Sequence, residues 1–356
     1  MKAAVLYDYG KMELRDMPEP EIGDGDILIK VEAAGICGGD LHYYKGTLKA
    51  GLGKLPVILG HEFAGTIAKK GKDVDPYWQL GDRVVSENTG YACGHCPACQ
   101  TGNFVSCSQR QTIGCSMNGG FTKYVKIPGQ ILRLYPNCLF HIPENIGFDE
   151  ATVLEPASNA YKAVIQEGGL MPGDVLVVFG VGALGLLSIQ HGKIAGASKI
   201  IAIGLSPDKA TRFDLAKKYG ATHCIASDET EDLVGLVKKL AGPNGVAVTI
   251  DAAGAPSCLH QATEVTRSIG RVVRIGMNEA PYNYGLDDVN VKSLTIRGHM
   301  GYNTVSWRQC IALAEAGILD LKSIISHHLP LDQFDEGFQL SIRQEATKVI
   351  LTPIEN

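Results

Sequence analysis

The stretch "DVLVVFGVGALGLLSIQHGKIAG", residues 174–196, runs from apolar residues through a glycine-rich turn into a helical pattern. Val175 to Phe179 form a short, β-branched, wholly apolar run, the mark of a strand buried on both faces. Gly180, Gly182 and Gly185 follow at G-x-G-x-x-G spacing, with Val181, Ala183 and Leu184 between them. Alone this spacing is weak evidence. Directly after a strand and at the start of a helix it acquires a mechanism. The first glycine permits a tight turn, the second lets a pyrophosphate approach the backbone, and the third brings helix and strand together. The helix N-terminus then faces the phosphates. The plainer reading is a glycine-rich turn that binds nothing.

Working outward, "KIIAIGLSPDKATRFDLAKKYGA" (199–221) repeats the strand–turn–helix order. "VAVTIDAAG" (246–254) and "GRVVRIG" (270–276) add two strands separated by a helical stretch. Alternating β and α segments with apolar strands predict an α/β fold, a doubly wound parallel Rossmann sheet over residues 157–293. Residues 1–156 differ in texture, with short β runs such as "DILIKVEAAGI" and "GDRVVSE" between glycine turns. From 294 to 356, "LTIRGH", the helical "SWRQCIALAEAG" and the strand-like "KVILTPI" are expected to return to the first domain. A chain of 356 residues is long enough for two cores.

At the end of the second strand an acidic residue is expected to bind the adenosine ribose of NAD. Gly204 stands there instead. Without a carboxylate the 2′-phosphate of NADP is not repelled, and Lys209 and Arg212 are the nearest cations. Asp208 is close enough to replace the missing carboxylate. The reading favours NAD and leaves NADP open.

Hydrophobic residues make up 45% of the chain, charged residues 20%, and the formal charge is −5 with no long basic run. Nucleic acid and anionic membrane are therefore not expected as partners. The N-terminus lacks the apolar core of a signal peptide, and residues 175–189 are too short to span a bilayer. A soluble, cytoplasmic protein is expected. In such a reducing compartment disulfides are rare, yet the chain holds ten cysteines.

Four of these fall in "CGHCPACQTGNFVSC", residues 93–107, spaced C-x2-C-x2-C-x7-C. Cys93, Cys96, Cys99 and Cys107 can close a tetrahedral shell around Zn²⁺. An iron–sulfur cluster is the rival, although the fourth spacing fits bacterial ferredoxins poorly. A shell closed by four cysteines leaves no position for substrate, so the lobe at about 90–110 reads as a structural staple. Cys115, Cys138, Cys224, Cys258 and Cys310 are scattered and read mostly as inert buried thiols.

Chemistry is expected elsewhere. Cys37, Asp40 and His42 lie in "GICGGDLHYYKG", His61 and Glu62 in "LGHEFAG", and Glu155 in "LEPASNAYKA". A thiolate, an imidazole and a carboxylate from separate segments make an open zinc site with room for an alcohol oxygen. Taken singly, each residue is more often structural.

With the C-G-x-D at 37–40, the GHE at 60–62, "GDRV" at 81–84, the four-cysteine lobe and the G-x-G-x-x-G, the chain resembles the zinc-dependent medium-chain dehydrogenases over nearly its whole length. Within them, "LEP" at 154–156 and "LHYY" at 41–44 resemble polyol (sorbitol-like) dehydrogenases. The resemblance implies a GroES-like β-barrel catalytic domain beside the Rossmann domain, with the active site in the cleft. It implies two zinc ions per chain and a homo-oligomer, a dimer or tetramer. The catalytic zinc would be held by Cys37, His61 and Glu62, with Glu155 bound directly or through water. Asp40 would orient His61, and Tyr43 and Tyr302 would contact a polyol. His42 would end a proton relay that relatives begin with a Ser or Thr hydroxyl at position 39, where this chain has Gly39. Gly301 replaces an arginine of sorbitol dehydrogenases, which puts sorbitol itself in doubt.

The expected reaction is reversible oxidation of a secondary alcohol in a polyol or sugar derivative, with hydride passing to the nicotinamide cofactor. Threonine-, butanediol- and sugar-phosphate-type dehydrogenases share these motifs. A catalytically silent structural or binding protein on the same scaffold is the non-enzyme alternative.

Overall fold

The structure, a computed structural model, describes residues 1–48 and 51–354. The chain divides into two compact units. One comprises Met1–Glu155, Asn303–Glu315 and the chain from Asp320 onward; the other comprises Pro156–Tyr302 and Ala316–Leu319.

The second unit is built on six strands: β1 (Val175–Phe179), β2 (Lys199–Gly204), β3 (His223–Ala226), β4 (Val246–Asp251), β5 (Thr266–Arg274) and β6 (Thr295–Gly298). Their spatial order is β3-β2-β1-β4-β5-β6, and every pairing is parallel. This is the doubly wound Rossmann order, with its switch point between β1 and β4. Parallel strands need helical crossovers that cover both faces, which is why β1 and β4 are buried at every residue. Val177, Phe179, Ile201, Val237 and Val272 meet in one apolar core.

β6 corrects an expectation. "LTIRGH" does not return to the first unit; Thr295–Gly298 pairs in register with Arg271–Arg274 and forms the outer strand of the parallel sheet. A four-residue polar-flanked run carries no periodicity that tells one sheet from another.

The first unit is mainly antiparallel. Its largest sheet runs in the order Leu139–His141, Arg83–Ser86, Glu62–Lys70, Ile27–Gly35, Val349–Thr352 and His327–Pro330, and Tyr124–Ile127 also pairs with Ile27–Gly35. The C-terminal strand thus lies beside a strand from the first forty residues, with Ile350 opposite Gly35. On its other side Gly35 pairs with Glu62. Leu6, Ile27, Ile58, Phe63, Phe121 and Phe338 fill the core here. Each such fully buried side chain contributes about 1.5–3 kcal/mol over an exposed one.

Candidate active site

The first-unit site begins with a helix cap. Cys37 caps the helix Gly38–Lys45, and Asp40 occupies the third helical position. Asp40 Oδ2 accepts the Cys37 N–H at 2.9 Å, as a capping box requires. That bond fixes the carboxylate, and its other oxygen lies 3.3 Å from His61 Nδ1. Asp40 is fully buried. At ion-pair distance, without hydrogen-bond geometry, it faces one ring nitrogen of His61 and leaves the other for a ligand. His61 follows Gly60, whose φ of +92° makes the turn into the strand that starts at Glu62.

One ligand atom each from Cys37, His61 and Glu62 lies within 4.8 Å of the other two. Cys37 stands twenty-four positions before His61 and twenty-five before Glu62 in the sequence; the pairing of Gly35 with Glu62 brings them together. A Cβ at position 35 would overlap Glu62 Oε2, so a side chain there would have to displace that carboxylate. The donor set of thiolate, imidazole and carboxylate fits a zinc ion. Burial pushes the Cys37 thiol up, with Glu62 adding to the effect. Burial alone would lower His61, but Asp40 and Cys37 hold it well above the ordinary imidazole range.

Glu155, the second residue of the helix Leu154–Tyr161, is 8% exposed and does not join that trio at the same distance. Its Oε1 lies 3.5 Å from Asn88 Nδ2. Burial raises its pKa to about 7; Glu62 adds to this and His61 opposes it.

Two neighbours were not marked by the sequence. Lys348 Nζ donates to both Glu62 oxygens, at 2.6 and 2.9 Å, and to the Ile36 carbonyl at 3.2 Å. The sequence shows one lysine opening "KVILTPI" but nothing that links it to Glu62. Cys115, expected among the inert thiols, has its sulfur 3.9 Å from His61 Nδ1. No spacing rule links a lone cysteine to a histidine fifty-four residues away.

His42 is half-buried and its Nδ1 lies 2.9 Å from Thr47 Oγ1. Tyr43 is buried in the first unit, and Tyr302 is buried in the second. At Gly39 a Cβ would lie 3.6 Å from His61 Cε1 and 3.8 Å from Cys37 Sγ, which are ordinary contacts.

The cysteine lobe gathers Cys93, Cys96, Cys99 and Cys107 with their sulfurs within 4.8 Å of one another. Cys93 and Cys99 sulfurs are 4.0 Å apart. That is far beyond a disulfide bond and close to the ~3.8 Å edge of a tetrahedron with Zn–S of about 2.3 Å. Backbone N–H groups of Cys96, Cys93 and Gln109 point at sulfurs, each at 3.4 Å. The lobe fits a metal ion whose shell it closes.

In the second unit the glycine loop behaves as its spacing implies. Gly180 has φ +90°. A Cβ at Gly185 would overlap the Gly180 carbonyl, so the third glycine serves the close approach of strand and helix. A Cβ at Gly182 would meet nothing within 4 Å, so no protein neighbour demands glycine there. Leu184 is half-buried in the first turn of the helix Ala183–Ile194. Past β2, a Cβ at Gly204 would lie 2.7 Å from Asp208 Oδ2 and 2.8 Å from both Phe213 Cε1 and Val181 Cγ2. The Asp208 carboxylate therefore occupies the space a side chain at 204 would enter. It accepts the Leu205 N–H at 2.8 Å and pairs with Arg212 at 3.1 Å. Lys209 pairs with Glu229. Among the described residues no helix is long and apolar enough to cross a membrane.

Comparison with known proteins supports the same assignment. Residues 23–137 match the alcohol dehydrogenase GroES-like domain, and residues 183–316 match the zinc-binding dehydrogenase family. An uncharacterised zinc-type alcohol dehydrogenase-like protein of Escherichia coli is 40% identical, covering 99% of both chains. An L-threonine 3-dehydrogenase of Bacillus velezensis is 36% identical over 96% of this chain and 95% of its own. A sorbitol dehydrogenase of Bacillus subtilis is 33% identical over 99% of this chain and 97% of its own. With a GroES-like unit, a Rossmann unit and relatives matched from end to end, the chain belongs to the zinc-dependent alcohol dehydrogenase family and has polyol dehydrogenases among its relatives.

Proposed function

We propose that this chain reversibly oxidises a secondary alcohol of a polyol or sugar derivative to a ketone, using NAD. The observation that carries the reading is the convergence of Cys37, His61 and Glu62, with Asp40 holding the imidazole and Glu155 buried nearby. A zinc ion bound there would act as a Lewis acid on the alcohol oxygen, and the nicotinamide would accept the hydride.

The chain's own residues supply position and charge. Cys37, His61 and Glu62 would hold that zinc, with Glu155 bound directly or through water. Glu62 shares its carboxylate with Lys348, so its negative charge is largely compensated before any ion binds. Asp40 fixes the His61 tautomer. His42, linked to Thr47, would carry the alcohol proton towards solvent. Tyr43 and Tyr302 would contact substrate hydroxyls. The cysteine lobe, with its four sulfurs gathered, would hold a second, structural zinc. Gly180, Gly182, Leu184 and Gly185 would cradle the pyrophosphate, and Asp208 would take the ribose role that Gly204 lacks, which favours NAD over NADP.

The threonine-type reading has a specific support, the 36% identity to a threonine 3-dehydrogenase. One panel decides: polyols, sugar phosphates, 2,3-butanediol and L-threonine, each with NAD and NADP, followed by absorbance of the reduced cofactor. Turnover confined to threonine would overturn the polyol reading. A protein with full zinc content that turns over no alcohol would overturn the enzymatic one.

A further inference from the structure

Asn88 sits where three parts of the first unit meet. It is 1% exposed and has φ +62°, a left-handed conformation that a non-glycine residue adopts only when its surroundings dictate it. Its backbone N–H donates to Ser86 Oγ at 2.9 Å, and its carbonyl accepts from the Ile113 N–H at 2.8 Å. The side chain is equally committed. Oδ1 accepts from Arg110 Nη2 at 2.8 Å, while Nδ2 donates to the His61 carbonyl at 3.2 Å and lies 3.5 Å from Glu155 Oε1.

Arg110 is in turn anchored to the cysteine lobe. Its N–H donates to the Cys107 carbonyl at 3.0 Å, and its Nε donates to Thr89 Oγ1 at 3.1 Å. Thr89 donates to the buried Glu87 through both its backbone N–H, at 2.9 Å, and its hydroxyl, at 3.0 Å. One amide thus touches the backbone of a proposed metal ligand, the carboxylate of another and an arginine fixed to the lobe. Arg110 orients the amide: with Oδ1 accepting from a guanidinium, Nδ2 must face His61 and Glu155.

We propose that Asn88 is a positioning residue for the open metal site, setting the Glu155 carboxylate and the His61 peptide, and that Arg110 ties this setting to the cysteine lobe. The proposal rests on reading Cys37, His61 and Glu62, with Glu155 beside them, as that site. It gives the lobe a second role, because a lobe that lost its shape would release Arg110 and with it the orientation of Asn88.

The test separates the amide from the backbone. Asn88→Gly removes the amide, and glycine adopts φ +62° without strain. The protein is loaded with Co²⁺ alone, and its visible absorption, cobalt retention against a chelator and kinetics are read. The expected result is a folded protein with a lowered melting temperature, since Arg110 loses a buried partner, a shifted open-site cobalt spectrum, faster cobalt loss, and kcat lowered about 10–100-fold with KM for NAD unchanged. Should the glycine variant not fold, Asn88→Asp decides. It keeps the Arg110 contact but turns an acceptor towards His61 and Glu155, and the same spectral shift is expected. A folded variant with the wild-type cobalt spectrum and wild-type retention would overturn the proposal and leave Asn88 a turn residue. The spectrum does not depend on any substrate, so a failed alcohol panel would not be mistaken for this outcome.

Discussion

Lys348 Nζ lies 2.6 Å from Glu62 Oε2 and 2.9 Å from Glu62 Oε1, with the two side chains 2% and 0% exposed. The pair joins the last strand of the chain to the strand that follows His61. Burial alone would lower the lysine's pKa, but Glu62 and Cys37 raise it above the ordinary value, so it stays charged. Lys348→Met should cost about 3–5 kcal/mol, because it leaves a carboxylate buried without its partner. Lys348→Met combined with Glu62→Gln should recover most of that loss, since the unpaired charge is gone. Denaturant titration of the four proteins reads the coupling. Equal losses in the single and double variants would mean that packing, not charge pairing, sets the cost.

The cysteine lobe predicts a separation of metal and turnover. Cys99→Ser should remove one zinc per chain, measured by emission spectrometry, and lower the melting temperature, because metal binding is linked to folding. Molecules that remain folded should keep open-site turnover to a far greater degree than Cys37→Ser molecules. Complete loss of turnover in Cys99→Ser, with stability and metal content intact, would mean that the lobe itself is catalytic.

The glycine loop and the lobe were legible because each is local: their residues lie within fifteen positions, and spacing fixes geometry. Cys37, His61 and Glu62 were legible as donor types, but their grouping as one ligand set came from the family resemblance, since a strand pairing unites them. Lys348 was not legible, because it reaches Glu62 across 286 positions through an antiparallel pairing that no window of sequence contains. Asn88 was hidden for another reason. Asn in a loop is ordinary, and its left-handed backbone and its contact with Arg110 exist only after folding. The edge strand Thr295–Gly298 was misplaced because four residues carry too little pattern to choose a sheet.

At the cofactor's ribose end the structure reverses an inference the sequence invites. Gly204→Asp looks like the restoration of a missing carboxylate. Asp208, Phe213 and Val181 already crowd the position its Cβ would take. Gly204→Asp should therefore destabilise the chain by about 1–3 kcal/mol, as overpacking does. Gly204→Asp with Asp208→Gly should recover stability and NAD binding, since it exchanges the two positions. Asp208→Asn should keep the Leu205 cap but reduce the preference for NAD over NADP about tenfold, which is 1.4 kcal/mol. Calorimetric titration with each dinucleotide measures this directly. An unchanged ratio would remove Asp208 from the ribose site.

Gly39 decides how the proton leaves. Oxidation of an alcohol releases a proton as well as a hydride, and relatives carry a hydroxyl where this chain has none. A Cβ at Gly39 would make only ordinary contacts with His61 and Cys37, so a serine fits without displacing either. The missing side chain can be replaced by a water molecule where polar partners face it. On this hypothesis a water bridges towards His42, which passes the proton on through Thr47 at 2.9 Å. Gly39→Ser should then leave kcat within about a factor of three, a barrier change below 1 kcal/mol, because the hydroxyl replaces the water it displaces. His42→Ala should slow oxidation at least about tenfold, and added imidazole should restore part of the rate. The rates are compared in H₂O and D₂O to establish that proton transfer is limiting. If it is limiting and His42→Ala still oxidises at the wild-type rate, the proton does not pass through His42, and Glu155 becomes the group to test.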